Sequence, residues 1–520
     1  MKKHLTIFLI FFSLSTLLAQ DPSIIWQRTI GGSETEMLPS IIETNDGGIL
    51  LAGTSNSNIS GEKSENSRGG DDFWILKLDN SGIIEWQKTI GGSGNDNLTA
   101  ITKTADGGYL IGGTSNSPIS GEKTEPSRGM SDYWFLKIDE NGTIVWQKTL
   151  GGADVDSLRN IRETVDGGYI VYGHSRSQIS GDKTLPLHGV VDLWLIKLNS
   201  DRTILWQKSY GFAGNSEFYS IDFDITENGS YMMSANYNPF QPGDAFYFLQ
   251  VNNTGSIIWE KYYQGDQTDI TPFLSSTAEG NFIAAGTSES DASLDKTENS
   301  QGSFDYWVLE LNPNGAISWQ NTIGGLGGEQ PWSVMQTIDG GYLIAGNSDS
   351  PISGDKIEDS KGGSDYWIVK LNNVGIIEWQ NTIGGIGTDH HARIIEGVNG
   401  DLYVCGASSS DISSDKIENS RGLSDFWLLK LDSTLSLIQN NSFASAITLF
   451  PNPTNNTLHI NTHDQSIDQI NIYTITGNRL IHIEIDSISP EIDVSSLATG
   501  VYYVQLFSQG NVTLKKFIKG

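Results

Sequence analysis

The stretch DYWFLKIDENGTIVWQKT (residues 132–149) contains two short apolar segments that are separated by a turn signal. Asp132–Ile138 and Thr143–Thr149 have the length of strands, and Glu140-Asn141-Gly142 between them has the composition of a tight turn. The stretch therefore predicts two antiparallel strands joined by a hairpin. Each of the two strands holds one tryptophan, Trp134 and Trp146.

Both tryptophans belong to series that recur along the chain. In the first series the intervals are 60, 60, 60, 53, 60 and 60 residues, and the second series lies twelve residues before the first. Tyr247 replaces tryptophan in the shortened fourth copy, and only Trp332 lies outside the pattern. A period of this length indicates a repeat architecture. The first series is Trp26, Trp86, Trp146, Trp206, Trp259, Trp319 and Trp379, and the second is Trp74, Trp134, Trp194, Trp307, Trp367 and Trp427.

One full unit, residues 98–150, predicts four strands and shows no helical period. Leu98–Thr104 leads through the turn signal Asp106-Gly107-Gly108 into Tyr109–Gly113, and the two strands described above complete the sheet. Such a sheet has two apolar faces, and both are buried when seven copies pack radially around an axis. We therefore predict an all-β chain whose residues 21–439 form a seven-bladed β-propeller of four-stranded antiparallel blades.

The two ends of the repeat predict how the ring closes. The first unit contributes only its final strand, Ile24–Ile30, and the last unit stops after its third strand, Asp425–Asp432. Gln439 stands where the next tryptophan would fall. The N-terminal strand therefore completes the seventh blade. A solenoid, the alternative repeat architecture, would need no such permutation.

The unit resembles the repeat of bacterial seven-bladed propellers. The matching segments are Gly91-Gly92-Ser93-Gly94-Asn95-Asp96, Asp106-Gly107-Gly108 and Gly113-Thr114-Ser115, and the resemblance covers about 410 residues. It implies an architecture and no particular activity, because propellers support many functions.

The two ends of the chain predict export. Residues 1–20 have the pattern of a signal peptide, with Lys2 and Lys3 before an apolar run that ends near Ala19. After the repeat, residues 440–520 predict a small β-sandwich that opens with Phe450-Pro451-Asn452-Pro453 and ends in a basic tail. This region resembles the type A sorting domain of type IX secretion substrates from Bacteroidetes-type bacteria. The residues that carry the resemblance include Pro451, Asn452, Pro453, Gly500, Lys515 and Lys516.

The resemblance to the sorting domain implies a secreted or outer-surface protein whose C-terminal domain is recognised by the type IX machinery. An ordinary β-sandwich that binds a ligand is the alternative. The formal net charge of −30 makes nucleic acid a poor partner, because the phosphate backbone is also anionic. Cys405 is the single cysteine, so no intrachain disulfide forms. We expect a monomer without a transmembrane segment.

A carboxylate lies ten residues after the first-series tryptophan in six of seven copies. These side chains precede the expected innermost strands, so they are candidates for a ring at one mouth of the central channel that binds Ca²⁺ or a cationic ligand. The alternative is that each acid bonds to the backbone of its own turn. The six residues are Glu36, Asp96, Asp156, Asp269, Glu329 and Asp389.

Three residues depart from the repeat near this position. Trp332 belongs to the sixth copy, and His390 and His391 stand in the seventh copy where the second has Asn97-Leu98. An aromatic ring beside imidazoles and the carboxylates of Glu329 and Asp389 suits a sugar or a metal ion. The alternative is a surface without a selected role.

These features favour a binding or scaffold module for an extracellular glycan or protein. An enzyme (a glycosidase, a lyase or a quinone-dependent dehydrogenase) and a purely structural surface protein are the alternatives. We find no nucleophile elbow, no His-x-x-x-His pair and no phosphate loop, and we assign no catalytic residue.

Overall fold

The computed structural model describes residues 21–238, 243–432, 447–462, 466–474, 479–508 and 511–520. The predicted signal peptide and the predicted domain boundary at residues 439 and 440 lie outside these residues. The chain divides into one compact unit at Pro22–Thr434 and a second that contains Leu435–Gly520.

The unit Pro22–Thr434 consists of seven four-stranded antiparallel sheets, here named blades 1 to 7 in chain order. Blade 1 contains β2 (Glu36–Glu43), β3 (Ile49–Ser55), β4 (Asp72–Leu78) and β5 (Ile84–Ile90). Blade 2 contains β6 (Asp96–Lys103), β7 (Tyr109–Ser115), β8 (Asp132–Ile138) and β9 (Ile144–Leu150). Blade 3 contains β10 (Asp156–Glu163), β11 (Tyr169–Ser175), β12 (Asp192–Leu198) and β13 (Ile204–Tyr210).

The remaining blades follow the same order. Blade 4 contains β14 (Glu217–Ile225), β15 (Tyr231–Asn238), β16 (Ala245–Val251) and β17 (Ile257–Tyr263). Blade 5 contains β18 (Asp269–Ser276), β19 (Phe282–Ser288), β20 (Asp305–Leu311) and β21 (Ile317–Ile323). Blade 6 contains β22 (Glu329–Gln336), β23 (Tyr342–Ser348), β24 (Asp365–Leu371) and β25 (Ile377–Ile383). Blade 7 combines β26 (Asp389–Glu396), β27 (Leu402–Ser408) and β28 (Asp425–Leu431) with β1 (Ile24–Ile30).

The N-terminal strand closes the ring, as predicted. β1 pairs antiparallel with β28, with Gln27 opposite Leu429 and Thr29 opposite Trp427. The backbone N–H of Glu36 in blade 1 donates to Ser424 O of blade 7 at 2.7 Å. The equivalent bond from Asp96 to blade 1 measures 2.6 Å, so the junction between the chain ends has the geometry of the other junctions.

The third strand of each blade is buried because both of its faces contact neighbouring blades. In β8 every residue is buried, and the Trp134 indole stacks on Phe73 of blade 1 with 5.0 Å between ring centroids. The indole N–H of Trp134 donates to Gln147 Oε1 at 3.2 Å, which satisfies its one polar atom. All six second-series tryptophans are fully buried in this position. The tryptophans thus recur with the period of the blades because each one packs one blade against the next.

The charged loop between the second and third strands of a blade packs into that blade and contacts the next one. Lys63 is 1 % exposed, donates to Ser55 Oγ at 3.0 Å and lies 5.3 Å from the Trp74 ring centroid. Burial lowers the pKa of this lysine to about 8. Nearer the surface, Arg68 forms an ion pair with Glu122 of the next blade, with 3.0 Å between Nη2 and Oε1. Buried lysines occupy the same place in six blades, at Lys63, Lys123, Lys183, Lys296, Lys356 and Lys416.

The C-terminal unit contains two antiparallel sheets. One consists of β29 (Thr448–Phe450), β30 (Thr457–Asn461) and β33 (Glu491–Asp493). The other has the order β32 (Arg479–Ser487), β31 (Ile467–Thr474), β34 (Gly500–Ser508) and β35 (Asn511–Lys519). Leu458 and Ile492 of the first sheet pack with Ile470, Val504 and Phe517 of the second. This is the expected small β-sandwich.

Candidate functional site

The six candidate metal-binding carboxylates are fully buried. Glu36 accepts the N–H of Gly32 at 2.8 Å and the hydroxyls of Ser55 and Ser57, both at 2.7 Å. Burial is the main cause that raises the pKa of Glu36. In the part of the chain that the structure describes, no group of three or more His, Cys, Asp or Glu side chains is placed to hold a metal ion. Glu36 thus bonds to the turn before its own strand, and its carboxylate also interacts with Asp425 of blade 7.

The first strands of the blades surround the axis, because each one contacts the first strands of both neighbouring blades. Every first strand has a β-bulge, which lies two to three residues after the buried acid in six blades and at Ile221 in blade 4, where that acid is replaced by Ser216. A bulge leaves its extra residue without a ladder partner and re-aims the side chain. The bulged residues are Leu38-Pro39, Thr99, Arg159, Ile221, Thr271-Pro272, Trp332 and His391-Ala392.

Two of these bulges bring Trp332, His390 and His391 together. The Trp332 and His391 rings meet edge to face with 4.2 Å between centroids, and the His390 and His391 rings stack at 4.1 Å. The indole N–H of Trp332 donates to Asn347 Oδ1 at 2.9 Å. Glu329 and Asp389, the carboxylates expected beside this cluster, are buried in their own turns. The cluster therefore consists of aromatic rings and imidazoles.

Both imidazoles are neutral near pH 7. Burial lowers the pKa of His391 to about 3, and burial also lowers the pKa of His390. Nδ1 of His391 is buried and has no hydrogen-bond partner among the described residues. His391 has a φ of 60°, yet Leu38 and Thr271 have φ of 52° and 57° in the equivalent bulges. The backbone strain therefore belongs to the bulge and does not mark His391 as functional.

Residues from non-adjacent blades meet beside Trp332. The guanidinium carbon of Arg159 in blade 3 lies 5.8 Å from the Phe273 ring centroid in blade 5. The guanidinium carbon of Arg393 in blade 7 lies 6.0 Å from the same centroid. Side chains from blades 3, 5 and 7 meet only when they extend into the axis. Phe273 also contacts Trp332, with 5.8 Å between ring centroids.

We name this group the axial cluster. Asp222 of blade 4 belongs to it, since its charge acts on the pKa values of both arginines. The members are Arg159, Asp222, Phe273, Trp332, His390, His391 and Arg393.

The sequence analysis missed both arginines, Phe273 and Asp222. The sequence does contain a signal for the two arginines. When the first strands are aligned position by position, the arginines differ from the residues at the same positions in blade 2. Arg159 stands where blade 2 has Thr99, and Arg393 stands where it has Ala100. The rule that function lies where one copy departs from the others was sound, and it had to be applied along the whole first strand.

Blade 4 presents a second aromatic surface. A surface cavity of about 360 Å³ is lined by Phe212, Tyr247, Glu260, Lys261 and Tyr262, and Tyr262 is 51 % exposed. Phe212 and Tyr247 meet edge to face with 6.1 Å between centroids. Tyr262 is thus an exposed aromatic side chain outside the axial cluster and can serve as a control for Trp332.

In the C-terminal unit, the residues that carry the sorting resemblance lie on two elements. Asn452 Oδ1, in the segment after β29, accepts the backbone N–H of Ile518 at 2.8 Å. Gly500 begins β34, and the backbones of Lys515 and Lys516 pair with Val504 and Tyr503 across β35. The entry segment with Pro451 and Pro453 is therefore tied to the basic final strand.

Residues 448–520 match the family described as the secretion system C-terminal sorting domain. The match shows that the chain carries a type IX sorting tail, which directs secretion to the cell surface or the extracellular space and implies interaction with the type IX machinery. Among the described residues, no helix is long and apolar enough to cross a membrane.

The regulatory protein FlaEY of Caulobacter vibrioides is 25 % identical over 159 residues, which are 29 % of this chain and 16 % of that protein. This chain therefore matches only a small part of the length of that relative. A protein of unknown function from Dyadobacter fermentans has a TM-score of 0.45 at 10 % identity, over 79 % of this chain and 99 % of that one. The Pan2 WD40 domain of Neurospora crassa has a TM-score of 0.43 at 9 % identity, over 78 % and 96 % of the two chains.

NanB sialidase of Streptococcus pneumoniae has a TM-score of 0.38 at 11 % identity, over 79 % of this chain and 70 % of that one. Structural similarity at such low identity indicates nothing about activity.

Proposed function

We propose that this secreted propeller is a binding module for an extracellular glycan and that the axial cluster forms its binding site. The observation that carries the proposal is the contact between Trp332 of blade 6 and His391 of blade 7, whose ring centroids are 4.2 Å apart. Both residues depart from the repeat, and they come from different blades. Residues specific to one copy thus concentrate at the axis.

The chemistry of the cluster suits a sugar. Trp332 is partly exposed and lies between Phe273 and His391, so it offers an aromatic edge or face to the apolar side of a pyranose ring. His390 and His391 are neutral, and a neutral imidazole offers both a donor and an acceptor to sugar hydroxyls.

A protein ligand and a purely structural role are less well supported. An interface with a protein needs roughly 800 Å² on each partner, which is far more than a channel lined by single side chains presents. A purely structural role gives no reason for a guanidinium at Arg159 or an imidazole at His391, where blade 2 has Thr99 and Leu98. No group in the cluster is placed as a nucleophile beside a base, so we propose no reaction.

The test is a glycan-binding screen with the full chain and three single variants. We expect Trp332→Ala and His390→Ala to weaken binding of the best glycan at least tenfold. Tyr262→Ala, which removes the exposed aromatic ring of blade 4, should leave the affinity unchanged. Loss of binding in Tyr262→Ala alone would move the site to blade 4, and an absence of glycan binding by the wild-type protein would refute the proposal. Melting temperatures of all variants show whether a loss reflects unfolding.

A further inference from the structure

We infer that Arg159 and Arg393 form an oxyanion site in the axis of the propeller, which selects an acidic sugar such as a uronate or a sulfated monosaccharide unit. This inference rests on the proposed function, because it names the class of glycan that the axial cluster would recognise. It concerns side chains other than Trp332, His390 and His391.

The first argument is the hydrogen-bond inventory of the two guanidinium groups. A guanidinium carries five N–H donors and no acceptor. The guanidinium of Arg393 makes no hydrogen bond and no ion pair with any other residue that the structure describes. That of Arg159 makes one, from Nε to the backbone oxygen of Ile221. Nearly all of these donors are therefore open to a ligand or to solvent.

The second argument is the environment of the arginines. Burial lowers the pKa of Arg393 to about 10, and Arg159 contributes to that shift through charge repulsion. Burial likewise lowers the pKa of Arg159. Two partly buried cations that repel each other are unfavourable unless an anion compensates them. Both side chains keep part of their surface accessible, so a small anion can reach them.

Asp222 does not fill this role. Its carboxylate accepts the backbone N–H groups of Phe223 at 2.9 Å and Leu274 at 3.2 Å. It makes no ion pair within 4.0 Å of either arginine in the described part of the chain. Burial raises the pKa of Asp222, so its carboxylate is poorly suited to balance two guanidinium charges. A bound oxyanion would supply negative charge at the axis.

The geometry also favours a ligand with an anionic group attached to a ring. Both guanidinium groups lie beside the Phe273 ring, which in turn contacts Trp332 at 5.8 Å between ring centroids. An oxyanion bound by either guanidinium would therefore place the sugar that carries it near Phe273 and Trp332. Arginine pairs readily with carboxylates and sulfates because its planar fork matches two oxygens.

The experiment is a calorimetric titration of the full chain with glucuronate, glucose 6-sulfate, glucose, acetate and inorganic sulfate. We expect glucuronate or glucose 6-sulfate to bind at least tenfold more tightly than glucose, and the stronger of the two identifies the source of the oxyanion. Equal affinity for acetate, sulfate and the acidic sugars would refute the assignment of a sugar. No preference for either acidic sugar over glucose would refute the oxyanion site.

Three variants locate the site. Arg393→Gln and Arg159→Gln should each weaken binding of the acidic sugar at least tenfold and leave any glucose binding unchanged. Arg202→Gln is the matched control, because Arg202 also lies over an aromatic ring, 5.5 Å from the centroid of Trp146, outside the axial cluster. An unchanged affinity for the acidic sugar in Arg393→Gln would contradict the inference.

The melting temperature without ligand separates a binding arginine from a structural one. Arg393 has no hydrogen bond to lose, so Arg393→Gln should leave the melting temperature unchanged or raise it. A fall of several degrees would show that the guanidinium supports the fold, and it would overturn the inference. If glucose-type glycans bind and depend on Trp332 while Arg393→Gln changes nothing, the proposed function survives and the oxyanion site fails.

Discussion

Gln27 joins the two ends of the propeller, and its replacement by alanine is expected to loosen blade 7 locally. Its side chain accepts the indole N–H of Trp427 at 3.0 Å and the backbone N–H of Ile417 at 3.2 Å. It also donates to the backbone oxygen of Asp415 at 2.7 Å. Gln27→Ala removes all three bonds.

Gln147 of blade 2 provides a control with the same chemistry. It accepts the indole N–H of Trp134 at 3.2 Å and the backbone N–H of Thr124 at 3.0 Å, and it donates to Glu122 O at 2.6 Å. Both glutamines lie on the outer strand of a blade, but β9 directly follows β8 in the chain, whereas β1 joins blade 7 from the other end of the propeller sequence.

At about 1 kcal/mol for each bond, either substitution should lower the free energy of unfolding by about 3 kcal/mol. An unfolding entropy of about 2 cal/mol/K per residue over about 410 residues converts this loss to a fall of about 3 to 4 °C in the melting temperature. Both variants should show this fall.

Hydrogen exchange distinguishes the two variants. β1 can detach from β28 without unfolding the other blades. The whole loss of stabilising energy at Gln27 therefore lowers the free energy of this local opening. Exchange of the β28 amides should accelerate about 100-fold in Gln27→Ala, since about 1.4 kcal/mol corresponds to tenfold. The β8 amides in Gln147→Ala should accelerate much less. Equal acceleration of β28 and β8 would refute the idea that a separable strand closes the ring.

Three further predictions concern buried groups. Burial raises the pKa of Asp132 to about 6, above its value of about 4 in an unfolded chain. The folded state therefore keeps this proton to a higher pH than the unfolded chain, and the free energy of unfolding should fall as the pH rises from about 4 to 6. Asp132→Asn should make the melting temperature depend less steeply on pH over this range. An unchanged pH dependence would contradict the argument. In Gly91→Ala the new Cβ would overlap the Asp72 carboxylate, so we expect a loss of at least about 3 kcal/mol in urea unfolding. Gly47→Ala meets open space at a φ of 81° and should lose only about 1 kcal/mol, and a reversed order would disprove the overlap. Cys405 is fully buried, and burial raises the pKa of its thiol. Thiol reagents should therefore label it only as fast as the protein unfolds, and labelling faster than unfolding would contradict this prediction.

The blades and their closure followed from the sequence because the signals are local and repeated. The hairpin at Asp106-Gly107-Gly108 and the buried strand Asp132–Ile138 recur in copy after copy, and the truncated first and last units leave one way to complete the ring. The sorting tail was likewise recognised from the order of its segments.

The polar side chains were harder to place. A carboxylate such as Glu36 has the same spacing whether it faces the channel or turns into its own blade. The structure shows the second arrangement, because Ser55 and Ser57 supply hydroxyls that lie 19 and 21 residues further along the chain. Those serines recur in the sequence, so the pairing could have been anticipated.

By itself, the sequence determined the seven sheets, the strand that closes them and the export signal at the C-terminal domain. Each depends on the chain's own neighbours, since hairpins pair segments that are adjacent in sequence. Only the tertiary structure decided that Arg159, Phe273 and Arg393 meet, although more than one hundred residues separate each from the next. Their meeting depends on the angles between blades and on the bulges that turn side chains toward the axis, and a local pattern contains neither.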